Sequence, residues 1–374
     1  MRDIDEVGIH LFPKHGGTTE PASMAGNQWV NTLIIGNRIE KTRIINNTIR
    51  TEGAMWGQGI GLTAGLWDDG DNNEIVDTLI ANNTIELAGY GDSQCVRVAA
   101  GDVGACQNIV DGVRIVGNRI TMGRPGDSDP VQVGISLITG DSPTLYNDPT
   151  YRPITYPDYN TIRNVWIEDN IIKGRGECGI RILSGYKGTK YNTIKDVFVL
   201  GNLVDIGLSF PWSTIHPPRG IVISGGPIIG DKRDIGPNDV SDISIQWNTI
   251  RLPNPIRFVL HLQAHCESGV LIHQAANSVA AGILVSHNDI AGGSIIDISD
   301  KGIPGMGLVG VTGIMGIMDI LLDTQLKTLD GIDDLEVEYN RVVGPSMLVV
   351  NLHYLAIAVA MAGLLARMLG KRKA

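Results

Sequence analysis

Aromatic residues are scarce, at 5% of 374 positions, and no long amphipathic helix pattern appears before the C-terminal tail. A globular α/β arrangement needs such helices and is disfavoured. Cysteine is limited to Cys95, Cys106, Cys178 and Cys266, with no Cys-x-x-Cys or other metal-ligand spacing. Cys95 and Cys106 flank one expected strand and its turn. Either they pair in an oxidising compartment or they are buried free thiols, so cysteine usage leaves the compartment open. Basic residues do not dominate: the net charge is −10 and the pI near 5.2. That excludes a nucleic-acid backbone as the main partner, because binding phosphates needs clustered Lys and Arg. It fits a soluble or exported protein. Met1–Asp5 is followed by no apolar run of the kind a secretory leader requires.

What the chain has instead is glycine, 47 residues of it, and a repeat. In Val165–Gly185, Val165 and Ile167 alternate with polar neighbours, the period of a strand with one buried face. The alternation slips at Asp169-Asn170, and the next inward residue is Ile172. A one-residue slip reverses the faces unless the chain bends there. Asn and Asp tolerate the left-handed backbone such a bend needs. A Gly-rich turn and a third strand, Gly179–Ile182, follow.

The template apolar-x-apolar-x-x-Asn-x-apolar recurs at Asn118, Asn202, Asn248, Asn288 and Asn340. With Thr at the first position it also fits Asn37, Asn47 and Asn83. Asn37 and Asn47 are too close to be successive coils, so one of them imitates the corner. The Gly-Ile strand recurs at Gly8, Gly59, Gly134 and Gly220, and as Val96-Arg97-Val98; it is lost after Arg251. Repeats about 30–50 residues apart mean a solenoid, a propeller or an array, and three short strands with two kinds of corner favour a coil. Stacked about 4.8 Å apart, the asparagines would hydrogen-bond as a ladder along the corner. The fold expected is a single all-β domain over 1–345, a three-sheet parallel β-helix, followed by an apolar helix with a basic tail over 346–374. The first coil has no capping helix ahead of it. Either the start is truncated or another chain or domain covers that end.

These corners and Gly-Ile strands resemble the right-handed parallel β-helix proteins of the pectate-lyase-like superfamily, over roughly residues 5–345. The resemblance implies a right-handed coil and polysaccharide lying along the Gly-Ile sheet. On that sheet it places Arg97, Ser136 and Arg181 outward. In the turns leading in it places Tyr90, Asp92, Arg124, Asp127, Asp129, Lys173, Arg175, Glu177, Trp212, His216 and Arg219. Asp92, Asp129 and Glu177 would then lie one or two coils apart, and paired carboxylates for glycosidic hydrolysis need about 5–9.5 Å. Alternatively Arg181, Arg219 or His216 serves β-elimination from a uronic acid. Tyr90, Arg97, Asp127, Arg175 and Trp212 are the candidate substrate contacts. The paired Asp, Gly-His-Gly and Arg-Ile-Lys of polygalacturonases are absent, and all these residues also read as ordinary solvated turn charges.

Asp68–Glu74 is the densest run of oxygen ligands, with Asp69, Asp71 and Asn73 as candidates for Ca²⁺, although the spacing departs from an EF-hand. His261, His265 and His273 with Cys266 and Glu267 are too spread along a strand for one zinc ion. Asn46-Asn47-Thr48 and Asn82-Asn83-Thr84 match a glycosylation acceptor, but the corner template accounts for them. Residues 302–322 carry glycines three apart without the proline of collagen. The apolar stretch 347–369 with its basic end reads equally as a cap over the last coil or as a membrane contact. Two functions from different classes follow. One is an exported or cell-surface protein that binds or processes polysaccharide, as a lyase or glycosidase. The other is a non-catalytic structural or adhesive surface protein held by its C-terminal tail. A third possibility is a fragment whose catalytic portion lies elsewhere.

Overall fold

The computed structural model describes residues 7–11, 38–55, 57–66, 70–90, 93–102, 104–123, 132–141, 156–185, 189–207, 218–226, 236–252, 268–275, 277–291, 294–299 and 332–343. The expected helix over 346–374 and the glycine-spaced segment 302–322 lie outside these residues.

Three parallel sheets wrap one narrow core, and the path of each coil is sheet I, sheet II, sheet III. Sheet I stacks β2 (Arg38–Glu40) and β3 (Arg43–Ile45) on β6 (Glu74–Ala81), then β9 (Ile109–Val116), β12 (Thr161–Glu168), β15 (Thr193–Leu200), β18 (Asp239–Gln246), β21 (Val279–Ser286) and β24 (Asp333–Glu338). Sheet II holds the shorter β4 (Thr48–Met55), β7 (Thr84–Tyr90), β10 (Arg119–Met122), β13 (Ile171–Arg175), β16 (Leu203–Gly207), β19 (Thr249–Arg251), β22 (Asp289–Ala291) and β25 (Arg341–Val343). Sheet III holds β1 (Val7–Leu11), β5 (Gln58–Leu66), β8 (Ser93–Asp102), β11 (Gln132–Asp141), β14 (Cys178–Ser184), β17 (Arg219–Gly225), β20 (Ser268–Gln274) and β23 (Ser294–Ser299). Every strand pair is parallel, the arrangement of a parallel β-helix. The Gly-Ile strand is not lost after Arg251: Gly269-Val270 in β20 takes its place, because Val fills the inward position as Ile does.

The core is a tube of branched aliphatics, fully buried except toward the first and last described coils. Val165, Ile167, Ile172, Ile180 and Ile182 form one level of it. Burying one such side chain is worth about 1.5–3 kcal/mol, which the coils add together. Each long strand of sheet I carries one more inward residue than the template holds: Ile75, Val110, Ile162, Ile194, Val240 and Ala280. It lies three positions upstream of the first template residue. The odd spacing is absorbed by a left-handed residue between them, Asp77, Gly112, Asn164, Asp196, Asp242 or Gly282.

The corner between sheets I and II is an asparagine ladder of eight: Asn47, Asn83, Asn118, Asn170, Asn202, Asn248, Asn288 and Asn340. The left-handed residue is the one before each asparagine, as at Asp169 (φ 53°) and Asn82 (φ 55°). Asn47 is thus the corner residue, while Asn37 lies outside the described residues.

A second ladder, which the template reading missed, lines the corner between sheets III and I. Asn73, Asn108, Asn160, Asn192 and Asn238 join through backbone N–H to Oδ1 bonds of 2.9–3.1 Å. Each member stands ten positions before a member of the first ladder, as Asn160 does before Asn170. Glycines at the exit of sheet III make room for it. At Gly140, with φ +61°, an added Cβ would sit 2.5 Å from Asn192 Nδ2 and 2.8 Å from the Pro157 carbonyl. The Gly of Gly-Ile has a different reason. A Cβ on Gly134 would lie 2.5 Å from the Gly179 carbonyl oxygen and 2.6 Å from Ile172 in the core.

Candidate functional site

The sheet III face singled out from the sequence is not an open platform. Most of its outward residues are buried: Arg97 is 3% exposed and Arg219 8%, Ser136, Ile138, Leu183, Val222 and Leu271 are buried too, and Arg181 is half-buried. Outward apolar residues form two small clusters along it, Val133–Cys178–Val222–Leu271 and Ala99–Ile138–Leu183.

Arg97 is the centre of the strongest polar arrangement. The parallel register puts Asp102 and Asp141 side by side at the ends of β8 and β11. Arg97 Nη2 donates to both carboxylates, at 2.8 and 2.9 Å, so their oxygens lie within the sum of those lengths. Nη1 donates to Thr63 Oγ1 on the preceding coil, at 3.0 Å. Burial acts to lower the pKa of Arg97, but the two carboxylates outweigh it and raise the value. Sequence reading missed Asp102 and Asp141. The available signal was an acid at the same register position of two consecutive Gly-Ile strands.

Two coils on from Arg97, Glu177 and Arg219 come together, with Arg181 on the same pair of strands. Arg219 donates through its backbone N–H to the Glu177 carbonyl at 2.8 Å, and its Nη1 lies 3.3 Å from Glu177 Oε1. Arg181 is half-buried, with Nε donating to Ser136 Oγ at 3.3 Å. Arg175 and Lys173 are exposed on β13, and Tyr90 ends β7. Asp92, Arg124, Asp127, Asp129, Trp212 and His216 lie outside the described residues, so their distances to Glu177 are not part of this geometry.

The other clusters resolve into structural bonds. His273 Nδ1 lies 2.8 Å from Ser224 Oγ, and Ser224 also donates to the Gly226 carbonyl. Of the oxygen-rich turn, Asp69 lies outside the described residues. Asp71 Oδ1 accepts the Cys106 N–H at 2.6 Å, and Asn73 belongs to the second ladder, donating to the Gly70 carbonyl at 2.7 Å. Among the described residues no group of three or more His, Cys, Asp or Glu is placed to hold a metal ion. His261, His265, Cys266 and Glu267 lie outside those residues. Cys95, Cys106 and Cys178 are free thiols.

Sequence reading also missed a column of stacked rings at the left-handed corner positions. Trp247 stacks on His287 at 4.1 Å, and His287 meets Tyr339 at 5.1 Å. Tyr159 stacks on Tyr191 at 4.9 Å at the other corner. A bulky residue at positive φ is strained by about 1–3 kcal/mol, which stacking worth about 0.5–1.5 kcal/mol per pair partly offsets. Trp247 is 59% and Tyr339 75% exposed, so the column stands at the surface.

No protein-family model, no curated protein and no solved structure matches this chain. Among the described residues no helix is long and apolar enough to cross a membrane.

Proposed function

We propose that this chain is a non-catalytic structural or adhesive protein of the cell surface, a right-handed β-helix of the pectate-lyase-like kind. The handedness follows the general rule that crossovers between parallel strands are right-handed. One observation carries the non-catalytic reading. The guanidinium of Arg97 occupies the space between Asp102 and Asp141, a close carboxylate pair among the described residues of the Gly-Ile sheet, and it is buried there. A glycosidic oxygen would have to sit in that space. The stretch 347–369 supplies the membrane contact in this reading.

A second reading rests on Glu177, Arg181 and Arg219. They form a cationic cluster with one carboxylate on adjoining coils, of the sort that would bind an acidic polysaccharide, and a lyase or glycosidase reaction would act there. A panel of neutral and acidic polysaccharides, assayed for new reducing ends and for unsaturated products, separates the two. The structural reading expects neither product from any polymer. Release from one polymer that falls in an Arg181→Ala variant would replace it with the second.

A further inference from the structure

The two ends of the described coil are complementary to each other. The described strands begin on sheet III with β1 and end on sheet II with β25, and sheet III is the element that follows sheet II in every coil. At one end β1 overhangs β5; at the other β24 and β25 overhang β23. The β1 of a second copy fits the step above β23, with its β2 and β3 above β24 and its β4 above β25.

Three further observations fall on the same two surfaces. The first ladder stops at both ends with opposite chemistry. No described residue donates to Asn47 Oδ1, whereas the equivalent atoms of Asn83 and Asn118 each accept two bonds. The backbone N–H of Asn340 reaches no described residue, whereas that of Asn288 reaches the next ladder oxygen. Next, no described residue covers the core at the last coil: Val337 is 46% exposed, although its counterparts Val285, Ile245 and Val199 are at 0%. Lastly, the charges match. Lys41 and Asp334 occupy the same left-handed position of their coils, as Arg43 and Glu336 share the next outward one. Within the chain the first coil already pairs this way with the second, through Arg38–Glu74 at 2.9 Å and Arg43–Asp77 at 3.3 Å. Glu40 against Asp333 is the one like-charged match.

We propose that copies of this chain join head to tail, with Asn340 of one donating to Asn47 Oδ1 of the next and Lys41 set against Asp334. The parallel sheets then run across the junction. Such a heterologous contact does not close on itself and yields a linear filament. The inference stands on the two ends alone, not on the role proposed above for the lateral faces.

The test is sedimentation velocity of the full chain over a concentration series, with negative-stain microscopy of the same samples. The expected result is a mass that rises with concentration and unbranched particles. The eight ladder coils, at about 4.8 Å each, set an axial repeat of about 38 Å. Asp334→Lys, with folding checked by circular dichroism, weakens association by about tenfold. Lys41→Asp does the same. Mixing the two variants restores it, because each junction between unlike copies regains an opposite pair. A chain that stays monomeric at every concentration overturns the proposal, as would occur if residues 344–374 cover the last coil. So does association that neither substitution weakens.

Discussion

Asn170 Oδ1 accepts both the backbone N–H and the Nδ2 of Asn118, at 3.0 and 2.9 Å. Its own Nδ2 donates to the Ile115 carbonyl and to Asn202 Oδ1. One side chain therefore satisfies buried groups on the two coils either side of its own. Replacing it by alanine strands several of them, each costing about 1–3 kcal/mol. We expect Asn170→Ala to lower unfolding free energy by about 3 kcal/mol or more in urea titration. Asn47→Ala, at the half-buried end of the same ladder, should cost about 1 kcal/mol or less. Equal losses at both positions would contradict the ladder as a source of stability.

Gly140 combines positive φ with contact against Asn192 and Pro157. Gly140→Ala adds backbone strain and overlap to the second ladder together, and should destabilise by about 2 kcal/mol. A thermal melt unchanged from the parent would remove the steric account of that glycine column.

Arg97 separates two carboxylates that the register forces together. Arg97→Met leaves them facing each other with no cation between, and should cost about 3–5 kcal/mol. Arg38→Met breaks a pair whose side chains are 53% and 37% exposed, and should cost under about 1 kcal/mol. Chemical denaturation of the two variants checks the contrast.

The Cys178 thiol is pushed up to about 12, chiefly by burial, with Glu177 adding to it; burial also raises Cys95. The folded state thus favours the protonated thiols. That contribution is complete below the unfolded thiol pKa near 9 and is lost as pH climbs from there toward 12. Stability should fall over this range, and less steeply in Cys178→Ala. Native Cys95 and Cys178 should resist alkylation at neutral pH and react once the chain is unfolded.

Asp239 has its pKa raised by burial and then by Asp242, and its Oδ1 is buried with no partner. Its ionisation therefore costs the folded state more than the unfolded one. The penalty is absent below the unfolded carboxyl pKa and sets in as pH rises through it. Asp239→Asn should raise the melting temperature at pH 7 and leave it unchanged near pH 3.

Much of this was legible along the chain because coil neighbours repeat a local pattern. Val165, Ile167 and Ile172 show their faces by spacing alone, and Asp169-Asn170 shows the corner, since a strand's period is a local property. Ile162 was missed because a left-handed Asn164 breaks the period between it and Val165. Asn160 was missed because it sits at the mouth of a variable turn, where only its ten-residue distance to Asn170 marks it. The candidate site was less legible. Arg97 and Arg181 were placed correctly on outward positions, but strand period does not report what lies against an outward face.

The sequence by itself determined the parallel coil, its inward aliphatic rows and the asparagine corner, because each depends on residues close together in one turn of chain. Tertiary structure alone decided that Asp102 meets Asp141 across Arg97, that Trp247 stacks on His287, and that the Gly-Ile face is mostly buried. Those depend on which coil lies next and at what register, and turns of unequal length hide that distance from the linear order.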